Sequence, residues 1–477
     1  MNANQRVVIG VDSSTQATKA VAVDPDTGEV LAEGRAPHIV TGTGGARESD
    51  PEQWWQAFTA AVAATGYADR AAAVAVGGQQ HGLVALDDQG RPVHPAMLWN
   101  DTRSAPQAAA LTERLGRAEW ARRTGSVPTA AFTVAKWAWL REHHPEAAAR
   151  AAAVQLPHDY LTGRLTGAAT TDRGDASGTG WWGEHGYDKQ ILDLVGLDTD
   201  RLPEVVEPGH AAGAVRSGSP LPAGIPVAAG TGDNMAAALG LGLEPGRPVV
   251  SLGTSGTAYA VTRGRPADES GTVAGFADAS GGWLPLACTL NCTLAVDRIA
   301  ALLGRDRAAV EPGGTAVMLP FLDGERTPDL PYASGLLHGL RHDTTPGQLL
   351  QAAYDGAAHA LLTALDDVLR HGGEAATDAP ILLIGGGARG TAWQDTVRRL
   401  SGRAVQLPRA AELVALGAAA QATGLLTGEQ PAEVARRWGT ADGPLLDPLP
   451  RDEEALARLA DTLLRARSLF EQPDRNG

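Results

Sequence analysis

With 477 residues the chain exceeds what one hydrophobic core usually organises, so two large domains are expected. Hydrophobic residues make up 43% and charged residues 20%, an ordinary balance for a globular chain. The 55 acidic against 40 basic side chains give a net charge of −15, which argues against a broad basic face for nucleic acid, and two cysteines are too few for a disulfide framework.

Cys288 and Cys292 have C-x3-C spacing and no second ligand pair. They are expected to be reduced structural thiols of a cytoplasmic protein rather than zinc ligands. The opening MNANQRVVIGVD has no basic stretch followed by a long apolar one, so no signal peptide is expected. No apolar run reaches the ~18 residues of a membrane span, so a membrane is not an expected partner.

In chain order, Val7–Asp24 (VVIGVDSSTQATKAVAVD) is a β-branched run, a Ser/Thr cluster and a second β-branched run. The pattern predicts a β-hairpin whose turn presents hydroxyls and free backbone N–H groups, a cradle for phosphate oxygens. Asp12 at its tip suits a turn through local hydrogen bonding, and equally suits a carboxylate that helps hold Mg²⁺. Gly28–Ala36 is a third strand. In ESDPEQWWQAFTAAVAA, Asp50 caps a helix, Pro51 sits in its first turn, and Trp54, Trp55, Phe58 and Val62 recur at helical spacing. RAAAVAVGGQQHGLVALD reads as strand, glycine turn and strand. His81, beside Gln79 and Gln80, is either a satisfied structural histidine or a contact for a hydroxyl-rich ligand.

Residues from about 100 to about 220 carry helical patterns and read as an insertion. IPVAAGTGDNMAAALGLG is a second strand–turn–helix unit. Asp233 follows the apolar run Ile225–Ala229, so it can cap the helix or accept a proton from an attacking hydroxyl at the carboxyl end of a strand. Those roles are compatible. Gly242–Pro248 (GLEPGRP) reads as a hinge, and Arg247–Arg263 (RPVVSLGTSGTAYAVTR) repeats the hydroxyl-rich hairpin. A helix over CTLNCTLAVDRIAALLG, the loop LPFLDGERTPDLP and a long amphipathic helix from near Pro346 follow. APILLIGGGARGTAWQDTVRRLSG is then a buried strand, a glycine turn and a helix. Gly385–Gly387 with Arg389 either make a tight connection or let a flat ring or ribose approach the backbone. ELVALGAAAQATGLL and the charged tail beyond Pro450 are further helices. Alternating strands and helices imply an α/β fold, and the recurring hairpin implies a duplication that holds a polyphosphate between its halves.

From about Val7 to Leu426 these features resemble the FGGY family of carbohydrate kinases. TAAFTVAKWAWLREH (Thr129–His143) and GLLHGLRHDTTPGQLLQAAYD (Gly335–Asp355) are similar to its two signatures, with Lys136, Trp139 and Leu140 at the expected spacing. The resemblance implies two ribonuclease-H-like domains of the actin-like sugar kinase and chaperone superfamily, with a cleft between them. Residues 1–242 would bind the sugar and carry the insertion, and residues 243–477 would bind the nucleotide.

GQQHG, LWNDTR, LPHDYL, GTGDN, SLGTSG, FLDGERTP and LIGGGAR resemble segments of members that phosphorylate D-xylulose to D-xylulose 5-phosphate. By that resemblance Asp233 is the catalytic base, and Gln80, His81, Asp101 and Asn234 bind the sugar. Ser14, Thr15, Thr254, Gly386 and Gly387 contact ATP, and Asp12 lies near Mg²⁺. Ser14 stands where many relatives carry Gly. Ribulose, gluconate and erythritol are alternative substrates. Outside the class, the rivals are a non-catalytic sugar sensor, opposed by the acidic charge, and an actin-like or chaperone-like ATPase, opposed by the sugar-side segments. The implied partner is a small sugar, not nucleic acid, and a homodimer is left open.

Overall fold

The computed structural model describes residues 6–470. Val7–Ser13 and Ala17–Val23 form the first hairpin, with Asp12 opposite Lys19. Its β-branched residues are buried on both faces of the sheet. Val7, Ile9 and Val11 share a core with Trp54 and Phe58, while Val8, Val21 and Val23 share one with Ala415, Leu416 and Ala419. Val30–Pro37 adds an antiparallel third strand, Ala71–Gly78 runs parallel to the first, and Pro226–Ala228 runs parallel to that. The helix Pro51–Ala64 covers one face, and Asp50 caps it by accepting from the Glu52 N–H at 3.0 Å.

The second half repeats this plan. Pro248–Leu252 and Gly256–Ala260 form the hairpin, Trp283–Thr289 is the antiparallel third strand, and Ile381–Ile384 and Val405–Gln406 follow in parallel. In both sheets the order is third, second, first, fourth, fifth, with only the second strand reversed. Edge strands Ala211–Ala214, Ala274–Ala277 and Leu445–Leu446 extend the sheets.

The two halves exchange helices. Asp233–Gly240 belongs to the first half in sequence, yet Met235, Ala238 and Leu239 share a core with Val249, Tyr259 and Leu382 of the second sheet. Leu413–Thr427 belongs to the second half, yet it lies on the first sheet. The exchange demands small residues at the crossings. A Cβ on Gly417 would sit 1.9 Å from the Ala236 carbonyl oxygen, and one on Gly10 would sit 2.0 Å from that of Ala415.

One expected element is displaced. The helix read from Cys288 starts only at Thr293. Cys288 and Thr289 instead end a strand, paired with Thr257 and Gly256, because ladder pairing along the hairpin outweighs the local helical pattern. The region between the first-half strands carries the helices expected of it, from Ala105–Leu115 to Lys189–Val195. The long helix Pro346–His371 opens with a capping box between Thr345 and Gln348.

Candidate active site

The strand register lines up the first lobe's acidic groups. Asp12 is opposite Gly77, which is itself opposite Thr231, and Gly78 is opposite Gly232. Asp12 and Thr231 therefore lie two strand spacings, about 10 Å, apart across the sheet, and Asp233 follows Thr231 by two residues at the same carboxyl edge. Asp12 is buried and accepts a hydrogen bond from the Ser14 hydroxyl at 2.9 Å. Burial pushes its carboxyl up to about 6, against the opposing pull of Ser14 and Lys19. Ser14 and Thr15 are half-buried in the hairpin turn, and the Thr15 hydroxyl accepts from the Trp99 indole N–H at 3.0 Å.

Asp233 is the first residue of its helix, with Gly232 in the cap position. Its Oδ1 accepts from the backbone N–H of Asn234 at 2.8 Å and from the Asn234 side chain at 2.9 Å. Asn234 Nδ2 also donates to Gln80 Oε1 at 2.8 Å, so three residues from two segments form one chain of polar contacts. Burial first, then the charges of Asp12 and Asp175, raise Asp233 to about 7. That value suits a general base working near neutral pH. Its charge is felt by Tyr259 and Cys288 of the second lobe.

His81 takes a left-handed backbone conformation, φ +65°, uncommon for a residue with a side chain and frequent where geometry is held for function. Its Nδ1 lies 2.6 Å from the Gly178 carbonyl oxygen. A carbonyl only accepts, so Nδ1 carries the proton and Nε2 is left as an acceptor. Burial pushes the imidazole down to about 3, which keeps it neutral. The ring rests 4.8 Å from Phe132 and 5.5 Å from Phe276 of the second lobe. Gln80 is buried, and its Nε2 has no protein partner.

Asp101 makes contacts of a different kind. Its carboxylate is wholly buried and receives Arg103 Nε at 3.0 Å and Nη2 at 2.6 Å. The backbone N–H groups of Arg47 at 2.9 Å and Arg103 at 3.1 Å also donate to it. Both oxygens are thereby engaged, and the acid holds Arg103.

On the second lobe Thr254 is exposed at the hairpin turn, and the adjoining Gly253 carbonyl accepts from the Thr293 N–H at 3.2 Å and hydroxyl at 2.7 Å. The two neighbouring glycines differ. A Cβ on Gly386 would meet nothing within 4 Å, so it borders open space, whereas one on Gly387 would strike Thr293 Cγ2 at 2.7 Å. Gly386 leaves room for a ligand, while Gly387 is also required for packing.

Beneath the Thr231–Asp233 turn lies a buried acidic cluster that sequence reading did not find. His158 Nδ1 is 2.8 Å from Asp175 and its Nε2 is 3.2 Å from Asp159, while Asp172 accepts from the Thr231 hydroxyl at 2.7 Å. Burial would lower His158, but Asp159, Asp175 and Asp172 overcome it and raise the imidazole to about 9. LPHDYL and TDRGDASG contain all four residues, but no spacing announces that they meet.

Among the described residues no group of three or more His, Cys, Asp or Glu is arranged to hold a metal ion. Mg²⁺ needs no such cage, because it keeps waters and substrate phosphate oxygens and uses one or two carboxylates. The buried Asp12, raised by desolvation, fits that limited part. No helix of the described residues is long and apolar enough to cross a membrane.

Residues 7–240 match the N-terminal domain, and residues 249–424 the C-terminal domain, of the FGGY family of carbohydrate kinases. A xylulose kinase of Streptomyces rubiginosus is 68% identical over 472 residues, covering 98% of each chain. The crystal structure of xylulose kinase from Bifidobacterium adolescentis is 36% identical with a TM-score of 0.84, covering 96% of this chain and 99% of that one. A gluconate kinase from Lactobacillus acidophilus, 19% identical with a TM-score of 0.90 over 99% of this chain and 100% of its own, shares the fold. The chain belongs to the FGGY family of carbohydrate kinases.

Proposed function

We propose that the chain phosphorylates D-xylulose with ATP, giving D-xylulose 5-phosphate and ADP, and that Asp233 is the general base. The observation that carries this reading is Asp233 itself: a carboxylate raised to about 7, following a strand's carboxyl end, and coupled by charge to Asp12 of the first hairpin and Tyr259 of the second. The near-full-length relatives that bear the name xylulose kinase support the choice of sugar.

The sugar lies on the first lobe. His81 Nε2 accepts from one of its hydroxyls, and Gln80 Nε2 and Asn234 supply donors to others. Asp233 removes the proton of the attacking hydroxyl as its oxygen bonds to the γ-phosphorus in line with the departing ADP. Ser14, Thr15 and Thr254 in the two hairpin turns line the path of the phosphates, and Gly386 and Gly387 border the nucleoside. Asp12 would hold Mg²⁺, which neutralises phosphate charge when bound. The free thiols Cys288 and Cys292 support a reducing, cytoplasmic setting.

The test is coupled ADP release against ketoses, polyols and aldonates, with and without Mg²⁺. The expected result is Mg²⁺-dependent release with the highest kcat/KM for D-xylulose. A higher value for gluconate or ribulose would overturn the sugar assignment, and release independent of any sugar would overturn the kinase reading.

A further inference from the structure

Phosphoryl transfer spreads negative charge over the group in flight, and a cation that meets it in the transition state is worth a large rate factor. The groups around the two hairpins are mostly acidic. Lys19 is committed to Glu412 at 2.6 Å, and the buried Lys136 donates to the Ala130 carbonyl at 3.0 Å. Arg103 is committed to Asp101 at 2.6 Å.

Arg326 is different. It is exposed, and its guanidinium makes no ion pair with a carboxylate among the described residues. Its neighbours hold it in place. Glu325 is buried, and its carboxylate accepts from the N–H of Leu290 at 2.6 Å, the N–H of Asn291 at 3.2 Å and the Arg326 N–H at 2.8 Å. Thr327 donates its hydroxyl to the Cys288 carbonyl at 2.8 Å. Cys288 and Thr289 are the strand residues opposite Thr257 and Gly256, the outgoing arm of the second hairpin. Residues on both sides thus lock this loop beside the hairpin and leave the exposed Arg326 side chain with no carboxylate partner among the described residues. Its guanidinium hydrogen-bonds the Cys288 thiol, and its charge reaches His81 of the opposite lobe. Asp233 acts on the same thiol from across the cleft.

We propose that Arg326 is a catalytic residue whose guanidinium contacts the phosphoryl group in transit between ATP and the sugar hydroxyl. The step balances. The hydroxyl oxygen forms a bond to the γ-phosphorus, and its proton passes to Asp233. The bond from that phosphorus to the β,γ-bridging oxygen breaks, and its electron pair leaves on ADP. Charge accumulates on the equatorial oxygens, where a bidentate planar cation is well matched. This inference rests on the phosphoryl-transfer reading above.

Arg326→Ala and Arg326→Lys test it. The side chain is exposed, so neither variant opens the core. Arg326→Ala should lower kcat by about 10² to 10³, with KM for sugar and for ATP each held within about threefold, and Arg326→Lys should recover part of the loss. A second readout needs no turnover. Titration of ADP with fluoroaluminate, Mg²⁺ and D-xylulose, followed by tryptophan fluorescence, should show tightening by fluoroaluminate in the parent protein and none in Arg326→Ala, with ADP alone binding equally to both. A loss confined to sugar KM, or unchanged kcat and unchanged fluoroaluminate binding, overturns the proposal. If the parent protein phosphorylates no sugar, the kinase reading itself fails. If the parent turns over and Arg326→Ala matches it, only the role of Arg326 fails.

Discussion

Asp12 and Asp233 flank a single strand: Gly77 of Ala71–Gly78 is opposite Asp12 on one side and opposite Thr231, two residues before Asp233, on the other. Two carboxylates thus share one sheet edge, and the charge of Asp12 adds to burial in raising Asp233 to about 7. In the proposed mechanism the pair divides the chemistry, with phosphate charge handled at the hairpin and the proton handled beside the sugar.

Asp233→Ala should lower kcat by about 10² to 10⁴, the usual worth of a positioned base. The check is steady-state turnover at saturating ATP and sugar. A near-normal kcat would remove Asp233 from that role.

The pH dependence follows from the same carboxylate. It must be ionised to accept a proton, so kcat/KM for the sugar should rise with pH through a limb centred near 7, the raised value of Asp233 in the free enzyme. His81, pushed down to about 3, should add no limb of its own between pH 5 and 9. A midpoint below about 5 would contradict the environment described for Asp233.

Stability should run the opposite way. The folded pKa of Asp233 lies above the unfolded value, about 3.9, so between about pH 4 and about pH 7 the folded state holds a proton that the unfolded state sheds. Stability from this group is present at low pH and is lost as pH rises through 7. Asp233→Asn should therefore raise Tm by about 1–3 °C at pH 8 in the absence of Mg²⁺ and nucleotide, and by nothing at pH 4. Scanning calorimetry at both pH values decides it, and a lower Tm at pH 8 would contradict the sign.

His81→Ala should raise KM for the sugar far more than KM for ATP if, as proposed, its free Nε2 acceptor takes a sugar hydroxyl while Nδ1 is spent on Gly178. Initial rates varied in each substrate separate the two effects. Equal losses would place His81 outside sugar recognition.

Gly417→Ala should destabilise the fold by about 1–3 kcal/mol, because the added methyl would sit 1.9 Å from the Ala236 carbonyl and force the exchanged helices apart. Urea unfolding measures it. A midpoint equal to that of the parent would show that the crossing relaxes without cost.

Local chemistry was readable where it is local in origin. The two hairpins announce themselves through β-branched runs around Ser, Thr and Gly, and the Asp50 cap follows from residues two apart. The stretch from Cys288 misled because its pattern suits a helix, while its place beside Gly256 and Thr257 makes its start a strand. Asp101 shows a partnership that no local spacing announced: its carboxylate is engaged by Arg103 and by backbone N–H groups.

Sequence by itself determined the α/β class, the duplication and both hydroxyl-rich hairpins, since each is written in short periodic or turn-forming patterns, and a family resemblance singled out the candidate base. Tertiary structure alone decided which sheet each exchanged helix covers. A segment such as ALGAAAQATG is apolar on all sides and so declares burial without naming its neighbour. It also decided that His158 meets three carboxylates and that the charge of Arg326 reaches His81, because such relations between distant segments depend on how whole lobes pack rather than on any local spacing.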